Sequence, residues 1–202
     1  MAGGSNTYYV YAPINGEVWS LDCYCHGPCA NAQPPDCGSA SCKHTVVGGA
    51  GEQPIWKPAD IVGGIAGTYV CFFASGAESI QVQHINNVCA SGVTPWTCGV
   101  KVLMYRLPNQ VCLMGTVVYG HLQNRIADGY TANRPPEGWG LIVGELPANC
   151  NCGCSDLIHT HMEFNIGSRR SSLSCNPSTY VYASSSWIYS YTWNDTWCSG
   201  PA

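Results

Sequence analysis

The stretch Ile158-His159-Thr160-His161-Met162-Glu163-Phe164 predicts an extended strand that carries two imidazoles on one face. Side chains two residues apart in a strand point to the same side of a sheet. Upstream, Gly115-Thr-Val-Val-Tyr119-Gly-His121-Leu122 predicts another strand, with Tyr119 and His121 on a common face. Imidazoles that share a face can hold a metal ion, or divide metal binding and proton transfer between them. The two stretches therefore predict a wall of a metallohydrolase site.

The rest of the chain also has the pattern of an all-β protein. Short apolar runs rich in Val, Ile, Tyr and Thr are separated by many of the 23 glycines and 13 prolines, a pattern typical of strands and turns. The turn signal Pro13-Ile-Asn-Gly16 predicts a hairpin between the first two strands. The predicted strands are Thr7–Tyr11, Glu17–Leu21, Thr68–Phe73, Ser79–Ile85, Val100–Arg106, Thr116–His121, Leu141–Val143 and His159–Ile166.

Fourteen cysteines, spread along 202 residues, predict a disulfide framework formed in an oxidising compartment. We therefore expect a secreted, extracellular protein with long disulfide-linked loops. Two insertions are expected, a cysteine-rich one at 23–60 and a second at 86–98, and Cys175 and Cys198 are expected to close the C-terminal segment. The alternative for Cys150, Cys152 and Cys154 is a metal cluster near His159.

Charged residues make up only 10% of the chain, against about 25% in ordinary globular proteins. The net charge of -4 gives no support for nucleic-acid binding. A surface built from Ser, Thr, Asn, Gly and Tyr suits contact with glycans or with copies of the same chain. No segment has the roughly 18 apolar residues that a membrane-spanning helix needs.

A Ser- and aromatic-rich extension, residues 168–202, is expected to follow the main domain, residues 1–167. Its run Trp187-Ile-Tyr189-Ser-Tyr191-Thr-Trp193 alternates strictly, which predicts a strand of a C-terminal aromatic β-hairpin with four rings on one face. Three interpretations are open. The rings could bind glycan, form an assembly interface, or cover the exposed side of the main sheet.

The order of three motifs resembles the LytM/lysostaphin-type zinc metallopeptidases of the M23 family. Val10-Tyr-Ala-Pro-Ile-Asn-Gly-Glu-Val18 is similar to the family's early "v-x-A-P-x-x-G-x-V" hairpin. Val118-Tyr-Gly-His121-Leu122 is similar to its "Y-x-H-L", and His159-Thr-His161-Met-Glu-Phe164 to its "H-L-H-F-E" strand. The resemblance spans about residues 8–166 and implies an antiparallel β-sheet or sandwich of the M23 type.

The resemblance also implies roles for the histidines. His161 would be the zinc ligand, while His121 and His159 would be catalytic, orienting the attacking water and stabilising the developing oxyanion. The family's upstream "H-x-x-x-D", which supplies the other two ligands, has no counterpart before the early motif, and none of the six histidines has Asp four positions later. Candidate replacement ligands are Asp156, Glu163, a cysteine of 150–154, and the reversed pair Asp22 and His26.

Two functions are therefore expected from the sequence. The first is a catalytically degenerate M23-like protein that binds cell-wall peptidoglycan or another polysaccharide, or forms an extracellular homo-oligomer or filament. The ring row of Trp187, Tyr189, Tyr191 and Trp193 would make the contact. The alternative is an active zinc endopeptidase that cleaves peptidoglycan peptides, with ligands from outside the usual motif. A β protein whose motifs match by accident is the third possibility.

Overall fold

The computed structural model describes residues 5–19, 57–85, 99–148, 158–166 and 172–198. Within these ranges the chain forms thirteen β-strands and one 3-10 turn, with no α-helix. The prediction of an antiparallel all-β protein is therefore confirmed. None of these ranges contains a helix long and apolar enough to cross a membrane.

The strands follow one another in short runs, as the turn-rich sequence predicts. Their bounds are β1 Ser5–Tyr11, β2 Gly16–Trp19, β3 Lys57–Val62, β4 Tyr69–Phe72, β5 Ser79–Ile85, β6 Gly99–Leu107, β7 Val111–Gly120, β8 Thr131–Asn133, β9 Leu141–Glu145, β10 His159–Asn165, β11 Leu173–Cys175, β12 Tyr180–Val181 and β13 Trp187–Asn194. The 3-10 turn spans Asp195–Cys198.

An eight-stranded antiparallel sheet, the main sheet, dominates the structure, with strand order β12-β2-β3-β10-β7-β6-β5-β8. Strand β10 lies near its centre, between β3 and β7. All seven residues of β10 are buried, so both faces of the sheet are covered at this strand. Met162 and Phe164 belong to the hydrophobic core on one face. The opposite face carries His159, His161 and Glu163, because side chains alternate along a strand.

A second sheet, with strand order β1-β13-β11, covers the core face of the main sheet. The ring centroids of Tyr189 and Tyr191 lie 5.5 and 5.1 Å from that of Phe164 on β10. These distances lie within the range favoured by aromatic pairs. The rings of β13 thus join the two sheets into a sandwich, and the described residues of the C-terminal extension share one core with the main domain.

The expected hairpin between β1 and β2 is wrong. Strand β1 pairs with β13, whereas β2 pairs with β3 and β12. The segment between them turns a corner from one sheet to the other, and Ala12 and Ile14 are buried there. The C-terminal hairpin is also more elaborate than expected. Strands β11 and β13 do pair, but the chain between them joins the main sheet as β12.

The predicted cysteine-rich loop 23–60 ends in a strand, because Lys57 already begins β3. The sequence pattern did not predict this strand because of Pro58, since a proline within an apolar run argues against a central strand. Proline is tolerated here because β2, in the described residues, pairs with β3 only from Val62 to Asp60. Residues 23–56 and the insertion 86–98 lie outside the described residues.

One disulfide is present in the described part of the chain, and it joins Cys112 on β7 to Cys198 in the 3-10 turn. The expected pairing of Cys175 with Cys198 is therefore wrong. Arg106 strengthens the same junction, because its Nε donates to Asp195 Oδ1 over 2.6 Å. The C-terminal turn is thus fastened to the β6–β7 hairpin. Cys150, Cys152 and Cys154, with most other cysteines, lie outside the described residues.

Two buried tyrosines of β13 give a test of this packing. The Tyr189 hydroxyl donates to the Met162 carbonyl over 3.3 Å, whereas the Tyr191 hydroxyl is buried and has no hydrogen-bond partner among the described residues. We expect Tyr189→Phe to lower the free energy of unfolding by about 1 kcal/mol, because it removes a hydrogen bond. Tyr191→Phe should leave stability unchanged or raise it by up to about 1 kcal/mol, because it removes an unsatisfied polar group.

The measurement is urea unfolding of the two variants beside the wild type. Each variant removes one oxygen from the same strand, so each controls for the other. Equal destabilisation by both changes would contradict the described packing of the second sheet.

Candidate functional site

Strands β7 and β10 bring the three predicted histidines together. The two strands pair so that His161 lies opposite Gly120, and His121 follows Gly120 directly. The ring centroid of His121 lies 4.6 Å from that of His159 and 6.0 Å from that of His161. The cluster therefore stands on the face of the main sheet that is turned away from the aromatic core.

Tyr119 does not share this face, contrary to the sequence-based expectation. It pairs with Met162, belongs to the hydrophobic core and is fully buried. His121 has a φ of 60°, a left-handed conformation that costs on the order of 1 kcal/mol for a residue with a side chain. This conformation interrupts the alternation after Gly120 and places the His121 ring against His159. Backbone strain at clustered histidines is typical of functional sites.

Two carboxylates complete the cluster. On β3, Asp60 lies directly opposite His161, and its Oδ1 is 3.0 Å from His161 Nδ1. Glu163 Oε1 is 2.7 Å from His161 Nε2. His159 also faces Asp60, with its Nε2 3.8 Å from Asp60 Oδ2. The side chains of His161, Asp60 and Glu163 are 2%, 7% and 0% exposed, so water screens these charges little.

The two contacts of His161 determine its protonation. A neutral imidazole has one N–H donor and one lone pair, and a lone pair facing a carboxylate oxygen is repelled. Both nitrogens face carboxylates, so both carry protons and the ring is an imidazolium. Burial lowers the pKa of His161, but the hydrogen bonds and charges of Asp60 and Glu163 outweigh this effect and raise the pKa to about 9.

Gly120 is required for the close approach of the two strands at this point. A Cβ at Gly120 would lie 3.1 Å from Cβ of His161, a contact tighter than side chains normally make. A larger residue would therefore push His161 away from Asp60 or separate β7 from β10. The glycine in Tyr119-Gly-His121 thus has a packing role beside the site.

The described residues provide an incomplete set of ligands for a zinc ion. The 3.0 Å between Asp60 Oδ1 and His161 Nδ1 is close to the roughly 3.3 Å between two ligands on a tetrahedral zinc with bonds of about 2.0–2.1 Å. A catalytic zinc needs three protein ligands. Among the described residues, however, no group of three His, Cys, Asp or Glu side chains is arranged to hold a metal ion. Asp22, His26, Asp156 and the cysteines of 150–154, which the sequence offered as replacement ligands, lie outside those residues.

The aromatic row of β13 lies mainly in the core. Tyr189, Tyr191 and Trp193 are at most 1% exposed, while Trp187 at the start of the strand is partly exposed. This burial favours the interpretation that the row covers the main sheet. The expectation that the four rings share one face is wrong for Trp187, because the pairing of β1 with β13 shifts register between Val10 and Tyr11 and places Trp187 opposite Tyr11, where it reaches the surface.

Sequence reasoning missed Asp60 as a site residue and gave Glu163 only as one candidate ligand. Asp60 lies 101 residues before His161, in a segment taken for a loop, so periodicity gave no reason to place the two together. A signal did exist in Ala59-Asp60-Ile61-Val62, where one carboxylate stands inside an apolar, β-branched run. Such a residue on a buried strand requires a partner.

Comparison with known protein families, with curated proteins and with solved structures gave no match to this chain. A functional proposal for this chain therefore rests on the geometry of the site and the order of the sequence motifs.

The charge on His161 predicts a pH dependence of stability. Its pKa is about 9 in the folded chain, against 6.5 for an unperturbed His. A pKa raised by folding stabilises the protein fully below pH 6.5, and this contribution is lost as the pH rises toward 9. We expect it to be on the order of 3 kcal/mol, measured by urea unfolding at pH 6 to 9.5.

Glu163→Gln provides the control for this titration. It removes one of the two carboxylates that hold the proton on His161, so the loss of stability above pH 6.5 should be smaller and should be complete at lower pH. Because the remaining titrating groups are the same in both proteins, the difference between their pH profiles reports on His161. Identical profiles would contradict the charged state of the ring.

Proposed function

We propose that this chain is an extracellular, catalytically degenerate M23-like domain that binds cell-wall glycan or serves as a subunit of an extracellular assembly. The observation that carries the proposal is the incomplete ligand set around His161. The distance between Asp60 Oδ1 and His161 Nδ1 is close to that expected for two ligands of one metal ion, yet the described residues provide no third ligand. A hydrolase centre that lacks one ligand can keep its fold but loses its Lewis acid.

The arrangement of strands supports the resemblance on which this proposal rests. His121 and the His159-x-His161 pair lie on neighbouring antiparallel strands, where a shared site requires them. Asp60 comes from the strand on the other side of β10. In the family pattern "H-x-x-x-D" an Asp ligand is preceded by a His four residues earlier, and the pattern lies before the early hairpin motif, whereas Asp60 follows Val10–Val18. In this chain the residue four positions before Asp60 is Trp56, whose own structure lies outside the described residues.

An active zinc endopeptidase is the second candidate, and one observation favours it. Glu163 Oε1 lies 2.7 Å from His161 Nε2. A histidine that binds a metal through one ring nitrogen commonly donates the N–H of the other nitrogen to a carboxylate. A ligand from outside the described residues would complete the set. His121 and His159 would then be the residues beside the scissile carbonyl, as the resemblance implies.

The test is zinc per chain, measured on protein purified without chelator, together with digestion and sedimentation of purified peptidoglycan. For the degenerate domain we expect far less than one zinc per chain, no digestion, and co-sedimentation with the wall. About one zinc per chain that is lost in His161→Ala, with digestion of the wall, would replace this proposal by the peptidase.

A gain-of-ligand variant tests the reason for the degeneracy. Trp56→His restores the pattern "H-x-x-x-D" and should bind about one zinc per chain if Trp56 stands at the lost ligand position. Trp56→Phe is the matched control, and adding Asp60→Asn to Trp56→His should abolish binding. Failure of Trp56→His to bind zinc, in a variant that folds normally, would contradict the assignment of Asp60 to the family's motif.

A further inference from the structure

The outer face of the second sheet carries a cluster of aromatic rings that is separate from the buried aromatic row of β13. Tyr9 and Tyr11 on β1 and Trp187 on β13 are all partly exposed. The ring centroid of Tyr9 lies 6.1 Å from that of Tyr11 and 6.2 Å from that of Trp187. We call these three residues the ring patch. Its members come from opposite ends of the chain, and only the pairing of β1 with β13 brings them together.

Hydroxyl groups flank the ring patch on the same sheet. Tyr9 pairs with Ser190, and Thr7 pairs with Thr192, so these side chains share the outer face. The hydroxyl of Ser172 forms a hydrogen bond with the hydroxyl of Thr192. Hydroxyls can donate and accept. The face therefore combines rings that stack on apolar surfaces with groups that hydrogen-bond to other hydroxyls.

The three strands that form this face carry no charged side chain. None of the residues of β1, β11 and β13 is Asp, Glu, Lys, Arg or His. The first charged residue after β13, Asp195, is paired with Arg106 over 2.6 Å. A charged ligand placed on this face would lose hydration without gaining a counter-charge. The face is thus matched to a neutral ligand.

The size of the face argues against a second copy of the chain as its occupant. Strand β1 has 7 residues and β13 has 8, which gives a length of about 24 Å for β1, and three strands give a width of about 14 Å. The resulting area of roughly 300 Å² is less than half of the roughly 800 Å² that each partner buries in a stable protein interface. A short length of sugar chain needs far less area than a folded partner.

We propose that the ring patch is a binding site for a neutral polysaccharide chain, which stacks its sugar rings on Tyr9, Tyr11 and Trp187. The inference rests on the proposed function and specifies the surface and ligand class of its glycan-binding form. The rings are tilted by 41° and 55° to one another. They therefore offer separate faces to successive sugars, and the hydroxyls of Ser190 and Thr192 lie beside them.

The experiment is a depletion assay on microcrystalline cellulose and chitin, with purified peptidoglycan alongside. Tyr9→Ala/Trp187→Ala should weaken binding at least about ten-fold, since two lost ring contacts are each worth about 1 kcal/mol. Tyr180→Ala/Tyr182→Ala is the matched control, because these rings are 52% and 58% exposed and in mutual contact elsewhere, at the end of edge strand β12. Binding by the control should stay within two-fold of the wild type.

If the double variant folds poorly, a milder variant can replace it. Trp187→Leu keeps an apolar side chain without a ring and should also weaken binding. Because the ligand is neutral, binding of the wild type should be the same in 0.1 and 1 M salt. A strong fall with salt would overturn the inference in favour of a charged wall component.

The remaining outcomes separate this inference from the proposed function. If the ring-patch variants sediment with peptidoglycan as well as the wild type, the ring patch is wrong and wall binding stands. If the wild type binds no glycan of any kind, the inference falls together with the glycan-binding form. If the variants instead reduce the mass measured by light scattering, the patch is a self-association surface and the inference is overturned.

Discussion

The rest of the structure depends on the aromatic contact between the two sheets. Phe164 on β10 packs against Tyr189 and Tyr191 on β13, and the same short strand carries His159 and His161 on its other face. Stacking on one side therefore fixes the strand whose opposite side forms the site. Large rings bury much apolar surface with few rotatable bonds. The histidine cluster is held by packing that takes no part in its chemistry.

Electrostatics gives the site a different character from the core beneath it. Two buried carboxylates and one imidazolium leave a net negative charge among Asp60, His161 and Glu163. Pairing of this kind offsets a large desolvation cost, and removal of one partner is expensive because the remaining charge is left buried. Such a network therefore has a structural reason to persist that does not depend on catalysis.

Much of the fold could be predicted from local pattern. Strand β5 begins and ends where alternation places it, at Ser79 and Ile85, and β10 is predicted to within one residue. The errors arise where a local signal competed with a distant contact. Asn15-Gly16 has the chemistry of a hairpin turn, but β1 finds its partner in β13, 189 residues away at Ser5 and Asn194. Asp60 was not predicted as a site residue for the same reason, since nothing near it in sequence shows that His161 lies opposite.

The pairing of the first described strand with the last imposes an order on folding. Strand β1 can enter its sheet only after β13 has been synthesised and has emerged, so a nascent chain must hold Tyr8 and Val10 without their native partners. Contacts this distant in sequence form slowly. The part of the main sheet made by β5, β6 and β7, which pair with their neighbours in the chain, is then able to form first. The link from Cys112 to Cys198 can close only once Cys198 has emerged.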